Sequence, residues 1–308
     1  MNFRPLDFRT RLLAAERAND SLLCVGLDPE PARFPGEWKD DPARIFDFCS
    51  AIVDATKDLV LAFKPQIAYF AAQRAEDQLE RLMAHIRQVA PAVPVILDAK
   101  RGDIGSTAEQ YAREAFVRYA ADAVTLSPYL GFDALEPWLR YDGRGLILLC
   151  RTSNPGGADL QAQTVAATPA TDGQAGAPSE HLYERIARLA AGAWNRSGRL
   201  GLVVGATYPD EIARVRALAP TLPLLIPGIG AQGGDAAATV RAGWRGGSAA
   251  IAQGVGAGTV VGGQFGSTTG PIIVSSSRAV LYASAGADFA QAARNVALAT
   301  RAALNLAR

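Results

Sequence analysis

The sequence predicts the α/β fold class, with a single (β/α)8 TIM barrel over residues 1–308, and three observations support it. Short apolar runs rich in β-branched residues alternate with longer amphipathic stretches. A length of 308 residues is ordinary for one such barrel, and a hydrophobic content of 49% allows a large buried core. Polar and charged side chains gather where the apolar runs end, as expected at the carboxyl-terminal rim of a barrel.

Eight apolar runs are predicted to be the barrel strands. In chain order they cover residues 21–27, 59–64, 93–100, 123–126, 146–151, 202–207, 224–227 and 272–275. A doubly wound open sheet is the main alternative fold. That fold calls for a G-x-G-x-x-G sequence after the first strand, whereas this strand ends in Gly26-Leu27-Asp28-Pro29.

The stretches between the strands predict helices, of which the clearest covers residues 180–195. Its apolar stripe, at helical spacing, consists of Leu182, Ile186, Leu189 and Ala193. Ser106 and Glu109 predict a capping box at the start of the helix that follows strand three. A last helix is predicted over residues 288–306.

Two segments interrupt the alternation of strands and helices. Residues 158–178 are rich in Ala, Gly, Thr and Gln and are interpreted as a mobile loop after strand five. Residues 246–270 carry no charge and many glycines, which indicates an insertion between helix seven and strand eight. We expect this insertion to be a surface segment with no catalytic role.

Composition excludes several classes of function. A net charge of +1 gives no electrostatic case for binding nucleic acid or an anionic membrane. Cys24, Cys49 and Cys150 lie far apart and are expected to be buried thiols of a cytoplasmic protein. His85 and His181 have no partner at metal-ligand spacing, so no metal site is predicted. No window has the length of a membrane span, and the first residues do not form a signal peptide.

The strongest functional signal is the run Asp98-Ala-Lys100-Arg-Gly-Asp103 at the end of strand three. Side chains two residues apart on a strand share a face, so Asp98 and Lys100 are expected to point the same way. Asp103 follows in a Gly-flanked turn. An ammonium group held among carboxylates keeps its proton and suits a reaction that develops negative charge on carbon and then takes up a proton. The alternative is an ion-pair cluster with a structural role only.

Other polar residues end neighbouring strands. Lys64 ends strand two, and Ser153 follows strand five in Arg151-Thr-Ser153-Asn-Pro. Both are candidates for contact with a polar ligand, because residues at this rim are usually functional. Asp28 ends strand one, and by itself its Asp-Pro sequence is better explained as the start of a turn.

A phosphate site is predicted after strands seven and eight, where barrels of this class usually bind phosphate. The loop Pro227-Gly-Ile-Gly230-Ala-Gln232 has glycines that let backbone N–H groups approach an anion. Strand eight runs into Ser277-Arg278, and arginine is suited to bidentate phosphate contact.

Together these residues resemble the orotidine 5′-phosphate decarboxylases, the last enzymes of de novo UMP synthesis. The family signature Asp-x-Lys-x-x-Asp is present as Asp98-Ala-Lys100-Arg-Gly-Asp103. The longer run that continues Ile-Gly-Ser-Thr is similar to the longer bacterial branch, as are Phe-Lys-Pro-Gln at strand two and Thr-Ser-Asn-Pro-Gly at strand five. The resemblance implies decarboxylation of orotidine 5′-phosphate without metal or cofactor.

The resemblance also implies a role for each matching residue. Lys100 would be the cation and proton donor, and Asp98 would lie beside the substrate carboxylate. The ribose hydroxyls would contact Asp28 and Lys64, and the pyrimidine ring would contact Ser153. The residues implied at the 5′-phosphate and its loop are Pro227, Gly230, Gln232, Ser277 and Arg278.

The resemblance further implies a homodimer. Asp103, Ile104 and Thr107 would be lent to the active site of the other subunit. No nucleic acid or membrane partner is expected.

Three other functions remain open at the level of the sequence. A related barrel decarboxylase could act on a sugar phosphate such as 3-keto-gulonate 6-phosphate and need Mg²⁺. An aldolase could form a Schiff base through Lys64 or Lys100, although a lysine flanked by acids is a poor neutral amine. A barrel without activity could serve as a nucleotide-binding or scaffold protein, which the intact acidic and basic residues argue against.

Overall fold

Eight parallel strands form a barrel in the computed structural model, which describes residues 7–167, 179–229, 234–244 and 269–308. The strands are β1 (Leu23–Leu27), β2 (Ala62–Pro65), β3 (Ile96–Arg101), β4 (Ala123–Leu126), β5 (Gly145–Arg151), β6 (Leu200–Val204), β7 (Leu224–Pro227) and β8 (Ile272–Ser276). They neighbour each other in chain order, with β8 beside β1. Bridges from Phe63 to Val95 and from Gln66 to Asp98 join β2 to β3 and close the ring. The predicted (β/α)8 barrel is confirmed.

Helices surround the barrel and follow its strands. They are α1 (Phe8–Asn19), α2 (Ile45–Thr56), α3 (Ile67–Ala71), α4 (Glu76–Val89), α5 (Gly105–Arg113), α6 (Glu136–Leu139), α7 (Leu182–Ala191), α8 (Pro209–Leu218), α9 (Ala236–Gly243), α10 (Arg278–Leu281) and α11 (Phe289–Asn305). The predicted last helix is confirmed as α11. Among the residues described, no helix has the length and apolarity needed to span a membrane.

Two local predictions about helices are wrong. The helix after β3 begins at Gly105 with Ile104 as its N-cap residue and has no side-chain cap, so Ser106 and Glu109 form no capping box. In α7 the buried apolar side chains are Tyr183, Ala187 and Ala190, one position along from the predicted stripe. The small alanines let this face pack closely, while the larger leucines of the predicted stripe lie half-buried beside it.

Helix α1 closes the amino-terminal end of the barrel. Its buried Phe8, Leu12 and Ala15 pack against an interior to which every strand contributes. These strand residues are Cys24, Ala62, Ile96, Ala123, Ile147, Val203, Leu225 and Ile273. Gly145 has to lack a side chain, because a Cβ there would lie 2.2 Å from the Phe8 ring. The amino-terminal end of the barrel interior is thus filled by apolar side chains.

The two interruptions in the alternation fall largely outside the described residues. A short hairpin pairs Thr164–Val165 with Glu180–His181 at the edges of the predicted loop. Residues 168–178, and the predicted insertion up to residue 268, are not described, so their interpretation and the single-domain extent over 1–308 stay predictions. All three cysteines are buried and free, as predicted.

Candidate active site

A cavity of about 600 Å³ opens at the carboxyl-terminal rim of the barrel. It brings together residues from the ends of most strands, although these residues lie far apart in the chain, from Asp28 to Ala279. The predicted site residues that line it are Asp28, Lys64, Asp98, Lys100, Ser153, Pro227, Ser277 and Arg278. Polar residues that the sequence analysis did not select also line it, namely Gln66, Tyr69, Thr152, Asn154, Gln161 and Ser275.

Two lysines share one carboxylate at the β2–β3 side of the cavity. Lys64 Nζ lies 2.9 Å from Asp98 Oδ2, and Lys100 Nζ lies 2.6 Å from Asp98 Oδ1. Asp98 and Lys100 therefore point the same way, as the two-residue period of a strand predicts. We call Lys64, Asp98 and Lys100 the charged network.

Asp98 and Lys64 are held in their ionised states. Burial alone would raise the pKa of Asp98, but the ammonium groups of Lys64 and Lys100 keep it well below its usual range. Burial alone would lower the pKa of Lys64, but the carboxylates of Asp98 and Asp28 outweigh burial and keep it above its usual range. Both groups stay charged at neutral pH.

The two lysines differ in exposure. The Lys64 side chain is 6% exposed, whereas the Lys100 side chain is 45% exposed and reaches into the open cavity. Lys64 is fixed in the wall, while Lys100 presents an ammonium group to whatever occupies the cavity.

The hydroxyl of Thr125 on β4 also binds the charged network. It donates to Asp98 Oδ1 at 2.8 Å and accepts from the backbone N–H groups of Ala99 and Lys100, both at 3.0 Å. Sequence reasoning missed Thr125. Its signal was a polar residue within the otherwise apolar run of strand four.

Asp28 presents an unpaired oxygen at the end of β1. Its Oδ1 is buried and accepts no hydrogen bond from any residue that the structure describes. The backbone around it is fixed by Tyr282, whose phenol donates to the Asp28 carbonyl at 2.9 Å and accepts from the Glu30 N–H at 2.7 Å. A buried carboxylate oxygen without a donor is a strong candidate for binding a ligand hydroxyl, so the simple turn explanation for Asp28 is incomplete.

The loop after β5 carries Ser153 over the cavity. Gly205 at the end of β6 makes room for it, because a Cβ there would lie 2.7 Å from the Ser153 backbone nitrogen. Gln161 ties the loop together by accepting from the Thr152 backbone N–H at 2.8 Å. Arg151 underneath pairs with Glu211 of α8 at 2.8 Å. The loop is therefore anchored from both ends.

The opposite side of the cavity lies at the ends of β7 and β8. Pro227, Ser277 and Arg278 line it, and Arg278 is exposed. Gly228 has a φ of +105°, a backbone conformation that favours glycine. Gly26 is needed opposite, because a Cβ there would lie 1.9 Å from the Ser277 hydroxyl. Of the other predicted residues of this side, Gly230 and Gln232 lie outside the described residues.

Comparison with known proteins agrees with this geometry. The sequence model of the orotidine 5′-phosphate decarboxylase / HUMPS family matches residues 21–262 of this chain. The chain belongs to this family. It is 69% identical over 303 residues to the orotidine 5′-phosphate decarboxylase of Methylibium petroleiphilum. The aligned region covers 98% of this chain and 100% of that protein. The resemblance inferred from the motifs is thereby confirmed.

Two solved structures from Leishmania donovani share the fold of this decarboxylase-family chain. The OMP decarboxylase has a TM-score of 0.73 at 36% identity, with 97% of this chain and 99% of that chain covered. The UMP synthase has a TM-score of 0.76 at 36% identity, with 99% of this chain covered. The chain spans 57% of the length of that UMP synthase.

The remaining signature residues of the decarboxylase family lie outside the cavity of the single chain. Asp103 accepts a hydrogen bond from the Ile104 backbone N–H at 2.8 Å, and Ile104 is 57% exposed. Thr107 is exposed on the first turn of α5. None of the three lines the cavity of its own chain, so their assignment to a partner subunit, like the roles of the other site residues, stays a prediction.

Proposed function

We propose that this chain converts orotidine 5′-phosphate to UMP, a step of de novo pyrimidine biosynthesis, without a cofactor. The bond between C6 and the substrate carboxylate breaks, CO₂ leaves, and the electron pair stays on C6. Lys100 stabilises that carbanion and then transfers a proton from Nζ to C6. The observation that supports this is the Lys100 ammonium group, which projects into the cavity while Asp98 holds it at 2.6 Å.

The size of the electrostatic effect is consistent with this role. Two unit charges about 4 Å apart interact by about 4 kcal/mol at an effective dielectric constant of about 20. Lys100 therefore supplies a large but partial share of the barrier reduction. Asp98 would also repel the substrate carboxylate before CO₂ leaves, but its main role is to keep the Lys100 ammonium group in place.

The rest of the cavity accommodates the rest of the nucleotide. We assign the ribose hydroxyls to the unpaired oxygen of Asp28 and to Lys64, and the pyrimidine to Ser153. We assign the 5′-phosphate to the side of β7 and β8. The residues assigned there are Pro227, Gly230, Gln232, Ser277 and Arg278. Binding of this remote phosphate would supply energy that positions the reacting ring.

We also propose a homodimer in which Asp103, Ile104 and Thr107 complete the site of the partner subunit. Exposed apolar side chains near this end of β3 and β4 support a covered surface, among them Ile104 and Tyr129, which are 57% and 76% exposed. Three buried free cysteines are consistent with a reducing, cytoplasmic location.

The purified chain should remove orotidine 5′-phosphate in an ultraviolet absorbance assay, with release of CO₂ and formation of UMP. Activity should survive EDTA, which separates this reaction from a Mg²⁺-dependent sugar-phosphate decarboxylase. Borohydride with substrate should leave no covalent adduct, which separates it from a Schiff-base aldolase. Absence of turnover would overturn the proposal and favour a binding or scaffold role.

A further inference from the structure

The backbone of β3 departs from regular pairing where the charged network begins. Leu97 pairs with Val124 and Arg101 pairs with Leu126, so the residues from Asp98 to Lys100 all lie opposite the single Thr125. An insertion of this kind is a β-bulge, which re-aims side chains and interrupts the hydrogen bonds of the ladder. Here the bulge places Asp98 and Lys100 at the cavity.

The bulge includes an unfavourable backbone conformation. Lys100 has a φ of +47°, in the left-handed region that side chains other than those of Gly, Asn and Asp rarely adopt. Such a conformation persists only where the surroundings hold it. The backbone N–H groups of Ala99 and Lys100 both point to Thr125 Oγ1 at 3.0 Å, so a side chain replaces the missing ladder carbonyls.

The direction of the Thr125 hydroxyl proton follows from these contacts. Backbone N–H groups can only donate, so both must use the acceptor positions of the oxygen. The proton is left for Asp98 Oδ1 at 2.8 Å. One hydroxyl thus uses its full hydrogen-bonding capacity and connects the bulge backbone to the carboxylate that holds Lys100.

We propose that Thr125 is a positioning residue that sets the aim of Lys100 in the decarboxylation. This inference rests on the proposed function. Thr125 is 1% exposed and is not among the described residues that line the cavity. It therefore acts through Asp98 and Lys100 and not by touching substrate. Without the hydroxyl, the backbone N–H groups of Ala99 and Lys100 lose their shared acceptor, and Asp98 loses one donor.

Three variants test the proposal. Thr125→Val keeps the shape and removes the hydroxyl, Thr125→Ser keeps the hydroxyl, and Thr56→Val is the control. Thr56 is a buried threonine of α2 whose hydroxyl donates to the Ile52 carbonyl at 2.7 Å, outside the cavity. We expect Thr125→Val to lower kcat about 10- to 100-fold, the cost of a small displacement of a reacting group. KM should stay within about threefold, because the lost interaction acts on the transition state.

Thr125→Ser should keep most of the activity, and Thr56→Val should lose stability without losing kcat. A wild-type kcat in Thr125→Val, or an equal loss in Thr125→Ser, overturns the proposal. So does a rise in KM alone. If the wild-type chain does not turn over orotidine 5′-phosphate, the proposed function fails separately. In that case a crystal structure of Thr125→Val still tests the positioning role of Thr125. An unchanged positive φ at Lys100 would show that Thr125 does not hold the bulge in place.

A measurement on the wild-type chain covers the case in which Thr125→Val does not fold. The amide hydrogens of Ala99 and Lys100 should be protected from exchange with solvent, because both donate to the buried Thr125 hydroxyl. Rapid exchange at both amides would show that Thr125 does not hold the bulge.

Discussion

The two sides of the cavity differ in how their charges are arranged. At β2–β4, Lys64 and Lys100 both contact Asp98, and the network stands on strands and is mostly buried. At β7–β8, Arg278 is exposed on a four-residue helix and forms no ion pair with any residue that the structure describes. The first side has its geometry before substrate arrives, whereas the second offers a free cation. We infer that the first side serves the reaction and the second serves binding.

Removing the cation that faces the cavity should have the largest effect. We expect Lys100→Ala to lower kcat by at least about 10³-fold, since about 4 kcal/mol of electrostatic stabilisation corresponds to that factor. The Lys100 side chain is half exposed, so the fold should survive, as circular dichroism and thermal melting will show. Lys39→Ala, at an exposed lysine outside the cavity, is the control and should keep full activity. Near-normal turnover in Lys100→Ala would contradict the role of the charged network in the reaction.

Neutralising the shared carboxylate should affect stability as well as turnover. Asp98→Asn leaves the buried Lys64 ammonium group facing a neutral amide, and loss of one partner of a buried pair costs about 3–5 kcal/mol. Urea denaturation at neutral pH measures this loss. The matched control is Asp58→Asn, which breaks an exposed pair with Arg294 at 2.6 Å and should cost at most about 1 kcal/mol. Equal losses in the two variants would mean that the network is no more pre-organised than a surface pair.

Changes on the β7–β8 side should appear in binding. Arg278→Ala should raise KM and weaken UMP binding by about 10- to 100-fold, since hydrogen bonds to charged groups contribute about 1.5–3 kcal/mol each. The kcat value should fall much less. Arg241→Ala, at an exposed arginine of α9 that does not line the cavity, should leave both constants unchanged. An Arg278→Ala enzyme with normal UMP affinity would place the phosphate elsewhere.

The sequence was sufficient for those parts of the site that depend on local periodicity. Asp98 and Lys100 share a face because strand side chains repeat every two residues, and Lys64 could be placed because it ends an apolar run. The strands themselves agree with the predicted runs to within three residues at either end.

Features that depend on contacts between distant segments could not be predicted. Thr125 meets Asp98 only because β4 lies beside a bulge in β3, and nothing in the local pattern indicates that bulge. The buried face of α7 includes Glu184, which a polar–apolar pattern assigns to solvent. That carboxylate pairs with Arg214 of α8, and this partner lies 30 positions away. Tertiary contacts overrode the helical pattern at this position.

The smallest expected difference between the β2–β4 and β7–β8 sides of the cavity is in how stability and turnover depend on pH. Lys64 has a raised pKa and Asp98 a lowered one. The stability from Asp98 is present above its unfolded pKa of about 3.9 and is lost as the pH falls below it. The stability from Lys64 is present below its unfolded pKa of about 10.4 and is lost as the pH rises through its higher folded value. Neither group titrates between about pH 5.5 and 8.5, so kcat should be level there.

The substrate phosphate does titrate in this range, with a second pKa of about 6. Between about pH 7.5 and 5.5, kcat/KM should therefore fall by at most about fourfold as the phosphate loses one charge. This fall should become smaller in Arg278→Ala, where the side chain assigned to the phosphate is missing. Steady-state profiles of the two enzymes in matched buffers test this difference. If kcat itself changes between about pH 5.5 and 8.5 in both the wild-type enzyme and Arg278→Ala, a group in the charged network titrates there. The two sides of the cavity would then not differ in the way proposed.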